Sequence, residues 1–267
     1  MLLKNKKGII FGVSNKFGIA YAIAKSLHEQ GAEIAFTYAN DVMKPRVEPL
    51  AKEMNAKLLI ECDVTKEKDI ENTFKEYKKI YNDCDFVIHS VAFANKEDLS
   101  GNFSDTSHEG WNLAMSVSAY SLVAITRHAK PLLNKHASII ALSYIGSEKY
   151  VPHYNIMGVA KAALEASVRY LANELGQNEI RVNALSAGPV KTLAAKGIAG
   201  FNILLNIDKY RSPYQRNVKL KEIGDTALYL VSDLSTGVNG ETLHVDCGQH
   251  CVAISKEEAT LISKIKD

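Results

Sequence analysis

The sequence has little of what marks disulfide-rich, membrane or nucleic-acid-binding proteins. Only four of its 267 residues are cysteines, scattered along the chain, which excludes a small disulfide scaffold. The net charge of +2 offers no electrostatic footprint for nucleic acid. No apolar run approaches the ~20 residues of a membrane span, and the N-terminus lacks the apolar core of a signal peptide. We therefore expect a cytoplasmic protein with no nucleic-acid partner and no membrane association.

Three potential metal ligands, Cys247, His250 and Cys251, lie close together near the C-terminus. Zinc sites usually combine a close cysteine pair with a second ligand pair at a set distance, and the sequence has no such second pair. We predict no metal site, and we expect the cysteines to remain thiols.

Short runs of isoleucine, valine, leucine and phenylalanine alternate with longer helical patterns. This alternation indicates an α/β domain, and near-continuous apolar runs such as Phe86–His89 are typical of strands buried on both faces. Because no linker rich in proline or serine interrupts the chain, we predict a single doubly wound, Rossmann-like domain over residues 1–267 with a seven-stranded parallel sheet. The predicted strands lie near Gly8–Gly12, Ala32–Thr37, Lys57–Glu61, Asp85–His89, Ser138–Ser143, Arg181–Leu185 and Thr242–Val245.

Helical patterns fill most intervals between the strands. They lie near Ile19–Gln30, Lys44–Met54, Glu67–Tyr81, His108–Ala129, Tyr154–Leu175 and Ile223–Leu230, with a terminal surface helix near Lys256–Lys264. Gly31 and Gly176 stand where a glycine often ends a helix. The long interval from Val190 to Leu220 breaks the alternation and is apolar in its first half. Such excursions are usually functional, so we predict a substrate lid over about residues 190–220.

A glycine-containing segment, Gly12-Val-Ser-Asn-Lys-Phe-Gly18-Ile19, joins the first strand to the first helix. Glycine permits a sharp turn and lets backbone N–H groups at a helix N-terminus approach a pyrophosphate. Turns recruit glycine for other reasons too, but the nucleotide fingerprint of a doubly wound sheet belongs after its first strand. We therefore predict a dinucleotide site here.

The ends of the second and third strands bear on the choice of cofactor. At Tyr38 and Ala39 the sequence has neither an acid for a ribose 2′-hydroxyl nor an arginine for a 2′-phosphate, and we expect NADH. Asp63 is placed to accept a hydrogen bond from the adenine amino group. It also lies just before a predicted helix, with Thr65 as the N-cap and Glu67 in the first turn, where the helix dipole favours an acid. Asp63 can bind adenine and also lie favourably at this helix start.

Two tyrosines and a lysine follow the fifth strand. Tyr154 and Lys161 are seven residues apart, so they share a helix face at a separation of roughly 10 Å. The same interval recurs at Tyr214 and Lys221, which shows that spacing alone proves little. Open α/β sheets bind ligands beyond the carboxyl ends of their strands, where Tyr144, Tyr154 and Lys161 lie. We predict a catalytic site there, although Tyr154 on a helix face is also compatible with plain core packing.

The glycine segment, Asp63-Val64 and the tyrosine and lysine resemble the short-chain dehydrogenase/reductase superfamily, which usually spaces the tyrosine and lysine by four. The chain is more specifically similar to the bacterial NADH-dependent enoyl-(acyl-carrier-protein) reductases of type II fatty acid synthesis. The residues that carry this similarity are Tyr144, Tyr154 and Lys161, together with the segments Leu142-Ser-Tyr-Ile-Gly146, Asn183-Ala-Leu-Ser-Ala-Gly-Pro-Val-Lys-Thr-Leu-Ala-Ala195 and Phe36-Thr-Tyr38. The resemblance covers about residues 5 to 252. Gly18 stands where serine is expected and Ala92 where glycine is usual, so the response to diphenyl-ether inhibitors does not follow from the resemblance.

The resemblance implies a homotetramer and assigns residues to NADH and substrate. Hydride addition to an enoyl thioester leaves an enolate that a phenol can stabilise; this role falls to Tyr154, with Tyr144 lining the pocket and Lys161 on the nicotinamide ribose. Thr192 is implied near the carboxamide. The cofactor residues are Gly12, Gly18, Ile19, Ala39, Asp63, Val64, Val91, Lys161, Val190, Lys191, Thr192, Leu193 and Ala194. The acyl-chain residues are Phe93, Ala94, Leu99, Met157, Ile198 and Phe201, each equally natural in a core.

The expected partner is an acyl carrier protein that bears the enoyl group. Carrier proteins are acidic, and cations concentrate around the proposed lid at Lys191, Lys196, Lys209, Arg211 and Arg216, although a solvated loop with scattered charge accounts for them equally well. Two other functions stay open at this point. A ketoreductase of the same superfamily would need a serine before the tyrosine and the shorter spacing. A regulatory dinucleotide-binding protein would commonly lack the tyrosine or the lysine.

Overall fold

The described residues of the computed structural model, 1–192 and 201–264, contain all seven predicted strands in one sheet. Neighbouring strands are parallel throughout, in the order β3-β2-β1-β4-β5-β6-β7. The strands are β1 (Lys7–Phe11), β2 (Glu33–Tyr38), β3 (Leu59–Glu61), β4 (Cys84–His89), β5 (Leu133–Ser143), β6 (Arg181–Ala187) and β7 (Thr242–Val245). The predicted fold class is confirmed.

The helices match the predicted intervals and add two elements. They are α1 (Ile19–Glu29), α2 (Lys44–Glu53), α3 (Glu67–Tyr81), α4 (Lys96–Leu99), α5 (His108–Met115), α6 (Ser121–Ala129), α7 (Asn155–Gly176), α8 (Phe201–Arg211), α9 (Leu220–Val231) and α10 (Lys256–Ile262). The short α4 and helix α8, which falls within the interval predicted to be a lid, have no counterpart among the predicted helices. No helix among the described residues is long and apolar enough to cross a membrane.

Two hydrophobic layers enclose the sheet, because successive strand residues point to opposite faces. Ile9 and Val87 belong to the layer formed with α3, α6 and α7. Ile10 and Ile88, one residue further along the same strands, belong to the layer formed with α1, α2 and α9. Burial on both faces explains why these strands read as continuous apolar runs.

The strand order reverses between β1 and β4, and this places the site. From β1 the chain proceeds outward to β2 and β3, then returns to β4 and proceeds the other way. Loops leaving the carboxyl ends of β1 and β4 therefore separate and leave a crevice, the usual position of a ligand in such sheets.

Several local predictions were wrong in detail. The helix expected over His108–Ala129 contains a π-helical turn at Ser116–Tyr120, where the hydroxyl of Ser121 donates to the carbonyl of Val117. Helix α3 spans the predicted Glu67–Tyr81, but its N-cap is Lys66 and not the predicted Thr65, whose backbone N–H and hydroxyl donate to the carboxylate of Asp63.

Two element boundaries also differ from the prediction. Gly31 has a φ of +96° and ends α1 as expected, whereas Gly176 is the last residue of α7 and has no positive φ. Strand β5 begins at Leu133, five residues before the predicted start at Ser138, and pairs with β4 through an irregular register between Cys84 and Phe86.

Candidate active site

Gly12 brings the end of β1 against the end of β4. Its φ is +94°, and a Cβ at this position would lie 2.0 Å from the carbonyl oxygen of Ser90. Both the backbone conformation and the contact therefore require glycine. This close approach forms the floor of the crevice.

The N-terminus of α1 opens into the same crevice. Gly18 is its N-cap, with extended backbone and no side-chain hydrogen bond to the first turn, and Ile19 begins the helix. The first turn has no acidic residue. Unsatisfied N–H groups at the positive end of the helix dipole suit a phosphate.

The ends of β2 and β3 form the adjoining wall. Tyr38 is buried, while Ala39 and the α2 cations Lys44 and Arg46 are exposed. The carboxylate of Asp63 accepts hydrogen bonds from the backbone and hydroxyl of Thr65. Burial raises the pKa of Asp63, but these bonds and Lys66 outweigh it and hold the pKa below its ordinary value. Asp63 is therefore ionised.

Two other predicted cofactor residues lie in this region. Val64 and Val91 are partly buried and pack against the layer that contains α3 and α7. Both lie at the carboxyl ends of their strands, on the two sides of Gly12, as the sequence predicts.

Tyr144 and Tyr154 face each other at the carboxyl end of β5. Their ring centroids are 4.9 Å apart and the planes meet at 67°. Tyr154 is 8% exposed, and burial together with the nearby Tyr144 and Glu165 raises its pKa. Burial and Asp208 likewise raise the pKa of Tyr144. Both phenols therefore keep their protons at neutral pH and can donate a hydrogen bond.

Lys161 lies almost two turns along α7 from Tyr154 and is 5% exposed. Its ammonium donates to the carbonyl oxygen of Leu142 in β5. Burial lowers the pKa of Lys161 to about 8, and Glu165 opposes that effect. With three N–H donors, an ammonium tied to one carbonyl has others available for hydroxyl groups of a ligand.

A small apolar cluster forms the other side of the crevice. It contains Leu99, Tyr154 and Met157, with Ala94 and Tyr144 packed against them. Phe93, 52% exposed, lies on the loop after β4, and its N–H donates to the hydroxyl of Ser118. Three of the predicted acyl-chain residues, Ala94, Leu99 and Met157, therefore lie beside the two tyrosines.

The segment after β6 is only partly described. Val190 packs against the layer that contains α1, Lys191 is exposed, and the backbone N–H of Thr192 donates to the carbonyl of Val190. Phe201 begins α8 and is partly buried. The predicted contacts of Leu193, Ala194 and Ile198 lie outside the described residues.

The structure adds residues that the sequence interpretation missed. His89 is fully buried at the end of β4, and burial and Lys161 lower its pKa to about 3. Its Nε2 lies 2.7 Å from the hydroxyl of Ser121, which itself donates to the backbone, so the neutral imidazole donates there. Glu165 and Asp208 are also buried near the tyrosines. Glu165 follows Lys161 by one helical turn, and this spacing could have been noticed in the sequence. No sequence pattern around Asp208 indicates that it lies near the site.

Comparison with known proteins agrees with this geometry. The sequence profile described as enoyl-(acyl carrier protein) reductase matches residues 12–250. An enoyl-(acyl-carrier-protein) reductase [NADH] 1 of Rhizobium meliloti is 49% identical over 266 residues, covering 100% of this chain and 98% of the relative.

Two crystal structures of such reductases also superpose closely. That from Anaplasma phagocytophilum, in complex with NAD, has a TM-score of 0.92 at 50% identity and covers 96% of this chain and 98% of its own. The structure from Bacillus cereus, with NADP⁺ and indole naphthyridinone, has a TM-score of 0.92 at 46% identity. The match covers 95% of this chain and 99% of the Bacillus cereus chain. The chain therefore belongs to the enoyl-(acyl carrier protein) reductase family.

Proposed function

We propose that this chain reduces the trans-2 carbon–carbon double bond of enoyl thioesters with NADH, the last step of fatty acid elongation. One observation carries the assignment of roles: a buried, protonated Tyr154 lies beside Tyr144 and is the N-cap of α7, the helix that carries Lys161, at the carboxyl edge of the sheet. This arrangement supports a role for Tyr154 as the phenol that donates to the thioester oxygen.

Reduction adds a hydride to the β-carbon of the enoyl group and a proton to the α-carbon. Electron density moves onto the thioester oxygen during hydride addition, and the Tyr154 hydroxyl stabilises it by a hydrogen bond. Among the described residues, that hydroxyl has no hydrogen-bond partner, so it is available to substrate. Tyr144 lines the pocket and packs against Tyr154 in an edge-to-face contact.

The residues present fit a dinucleotide. Gly12 lets the ends of β1 and β4 approach closely at the floor of the crevice, and the N-terminus of α1 has no side-chain cap. When bound, NADH supplies the hydride. Gly12, Gly18 and Ile19 would face its pyrophosphate, Ala39, Asp63, Val64 and Val91 its adenosine half, and Lys161 the nicotinamide ribose. Residues 190–194 would cover the nicotinamide.

The experiment compares a crotonyl thioester with an acetoacetyl thioester on the same carrier, following NADH oxidation. With Tyr154 on the thioester oxygen, hydride reaches the β-carbon, and Tyr144 narrows the space that a β-ketone needs. We expect kcat/KM to be roughly a hundredfold higher for crotonyl, a gap of about 2.7 kcal/mol. Comparable values would instead identify a ketoreductase.

We further infer that an acyl carrier protein presents the substrate, that the chain works in the cytoplasm and that it assembles as a homotetramer. The resemblance to the family supports all three. Tyr150 and Tyr170, 85% and 80% exposed, are large apolar side chains that a subunit interface would cover. Light scattering on the purified protein tests the tetramer, and a monomer at micromolar concentration contradicts it.

A further inference from the structure

Helix α7 buries a second charge one turn beyond Lys161. Glu165 is 7% exposed, and its neighbours on the helix, Leu164 and Val168, are fully buried. Residues four apart on a helix have Cβ atoms about 5–6 Å apart, so the carboxylate and the ammonium are neighbours. A buried carboxylate is costly unless it is paired or hydrogen-bonded, so its partners indicate what it does.

The Glu165 carboxylate ties together both ends of the segment that carries Tyr144. Its Oε1 accepts hydrogen bonds from the hydroxyl of Ser143, the last residue of β5, and, at 2.6 Å, from the hydroxyl of Ser147. Ser147 closes a 3₁₀ turn over Ile145–Ser147. One carboxylate oxygen therefore fixes the turn relative to α7.

That turn forms the support behind Tyr154. A Cβ at Gly146 would lie 2.5 Å from Cδ1 of Tyr154, and a Cβ at Gly158 would lie 2.7 Å from the carbonyl oxygen of Gly146. Backbone, ring and helix are thus in direct contact with no space for a methyl group. Any shift of the turn moves the surface against which the Tyr154 ring packs.

The same carboxylate provides negative charge beside Lys161. Burial lowers the pKa of Lys161 to about 8, and Glu165 raises it. Three other titratable groups nearby carry no compensating charge: the pKa of His89 in β4 is lowered to about 3, and burial raises the pKa of both Tyr144 and Tyr154. The fourth, Asp208, acts on Tyr144, and burial raises its pKa to about 7. At neutral pH the imidazole and the two phenols are uncharged.

We propose that Glu165 is a positioning residue of the reductase site. Its charge keeps Lys161 cationic, and its hydrogen bonds to Ser143 and Ser147 hold the turn that supports Tyr154. This proposal rests on the roles proposed above for Tyr154 and Lys161.

The test measures the dissociation constant of NADH as a function of pH, together with kcat, in Glu165→Gln. Glutamine keeps the shape and one acceptor oxygen but removes the charge. We expect NADH binding to weaken on the alkaline side at a pH about one unit lower than in the wild type, and kcat to fall by roughly tenfold. The matched control is Glu174→Gln on the same helix, whose carboxylate pairs with Lys130 at the surface; its pH profile and kcat should match the wild type.

Ser147→Ala separates the two effects and serves if Glu165→Gln does not fold. It removes the hydroxyl that donates to Glu165 and that also lies 3.0 Å from the carbonyl oxygen of Tyr144, and it leaves the Glu165 charge in place. We therefore expect kcat to fall severalfold, while the pH at which NADH binding weakens on the alkaline side stays as in the wild type. The proposal is overturned if kcat is unchanged in Ser147→Ala. It is also overturned if a folded Glu165→Gln loses NADH binding at the same alkaline pH as the wild type. Lys161→Met distinguishes a failure of this proposal from a failure of the proposed function. If Lys161→Met binds NADH as tightly as the wild type, the role given to Lys161 is wrong, and the proposed function and the role of Glu165 fail together.

Discussion

The rings of Tyr144 and Tyr154 pack edge to face, with a centroid distance of 4.9 Å and an angle of 67° between their planes. Edge-to-face contact is a favourable arrangement for aromatic pairs, and it fixes the Tyr154 ring from one side. Gly146 contacts the same ring. The donor hydroxyl is thus oriented before substrate binds, which is the condition for strong electrostatic stabilisation of developing charge.

Tyr154→Phe should lower kcat by on the order of 10² or more, as for the loss of an oxyanion donor. NADH binding should be unchanged, because the ring and its contacts remain. Tyr144→Phe is the matched control, since it removes the neighbouring hydroxyl and keeps the edge contact; its kcat should fall less than about tenfold. Equal losses in the two variants, measured by NADH oxidation with crotonyl thioester, contradict the assignment of the donor.

Gly146→Ala should destabilise the protein and reduce kcat together. The added Cβ would lie 2.5 Å from the Tyr154 ring, so the ring or the turn must move. We expect a loss of about 1–3 kcal/mol in the free energy of unfolding, typical of overpacking. Gly237→Ala is the control, because no atom lies within 4 Å of a Cβ there. A Gly146→Ala enzyme with wild-type stability and kcat would show that the turn yields freely.

NADH should be preferred over NADPH by at least severalfold in kcat/KM. Tyr38 is buried and Ala39 is small, so neither supplies a cation for a 2′-phosphate, while Lys44 and Arg46 stand exposed on α2. Equal or better kcat/KM with NADPH would show that one of these two cations reaches the phosphate. In that case Lys44→Ala or Arg46→Ala would restore the preference.

Asp208→Asn should stabilise the protein at pH 8 and have little effect near pH 4. Burial, with the charge of Asp246, raises the pKa of Asp208 to about 7. Between its ordinary pKa and that value the folded state binds more protons than the unfolded chain, so the free energy of unfolding falls as the pH rises. Removing this group should recover on the order of 2 kcal/mol above pH 7. Thermal unfolding of the variant and the wild type at pH 8 and near pH 4 measures this effect. If the substitution changes Tm equally at the two pH values, Asp208 does not carry a buried charge at pH 8.

Salt should raise KM for a substrate on an acyl carrier protein more than for a coenzyme A thioester, if cations near the lid steer docking. The structure reduces the number of cations that could steer docking. Arg211 pairs with Glu258 and Arg216 pairs with Glu222, whereas Lys191 and Lys209 are exposed. Lys196 lies outside the described residues. Lys191→Ala and Lys209→Ala should therefore weaken the salt response, and parallel responses of the two substrates would refute steering.

The sequence by itself determined the alternation of strands and helices, and with it the fold class. The burial of the strands, the glycine at position 12 and the interval from Tyr154 to Lys161 can be read from local patterns, because they depend on residues close together in the chain. The predicted helix nevertheless begins one residue later, at Asn155, so that Tyr154 is its N-cap. The position of the crevice then followed from the rule that ligands bind beyond the carboxyl ends of parallel strands.

Only the tertiary structure decided what surrounds those residues. The hydroxyls that Glu165 accepts come from β5 and its turn, and the charge that acts on Asp208 comes from Asp246 after β7. The π-helical turn at Ser116–Tyr120 depends in the same way on packing, since Ser118 bonds both backbone groups of Phe93. Burial and electrostatic coupling arise between residues far apart in the chain, so no periodicity records them.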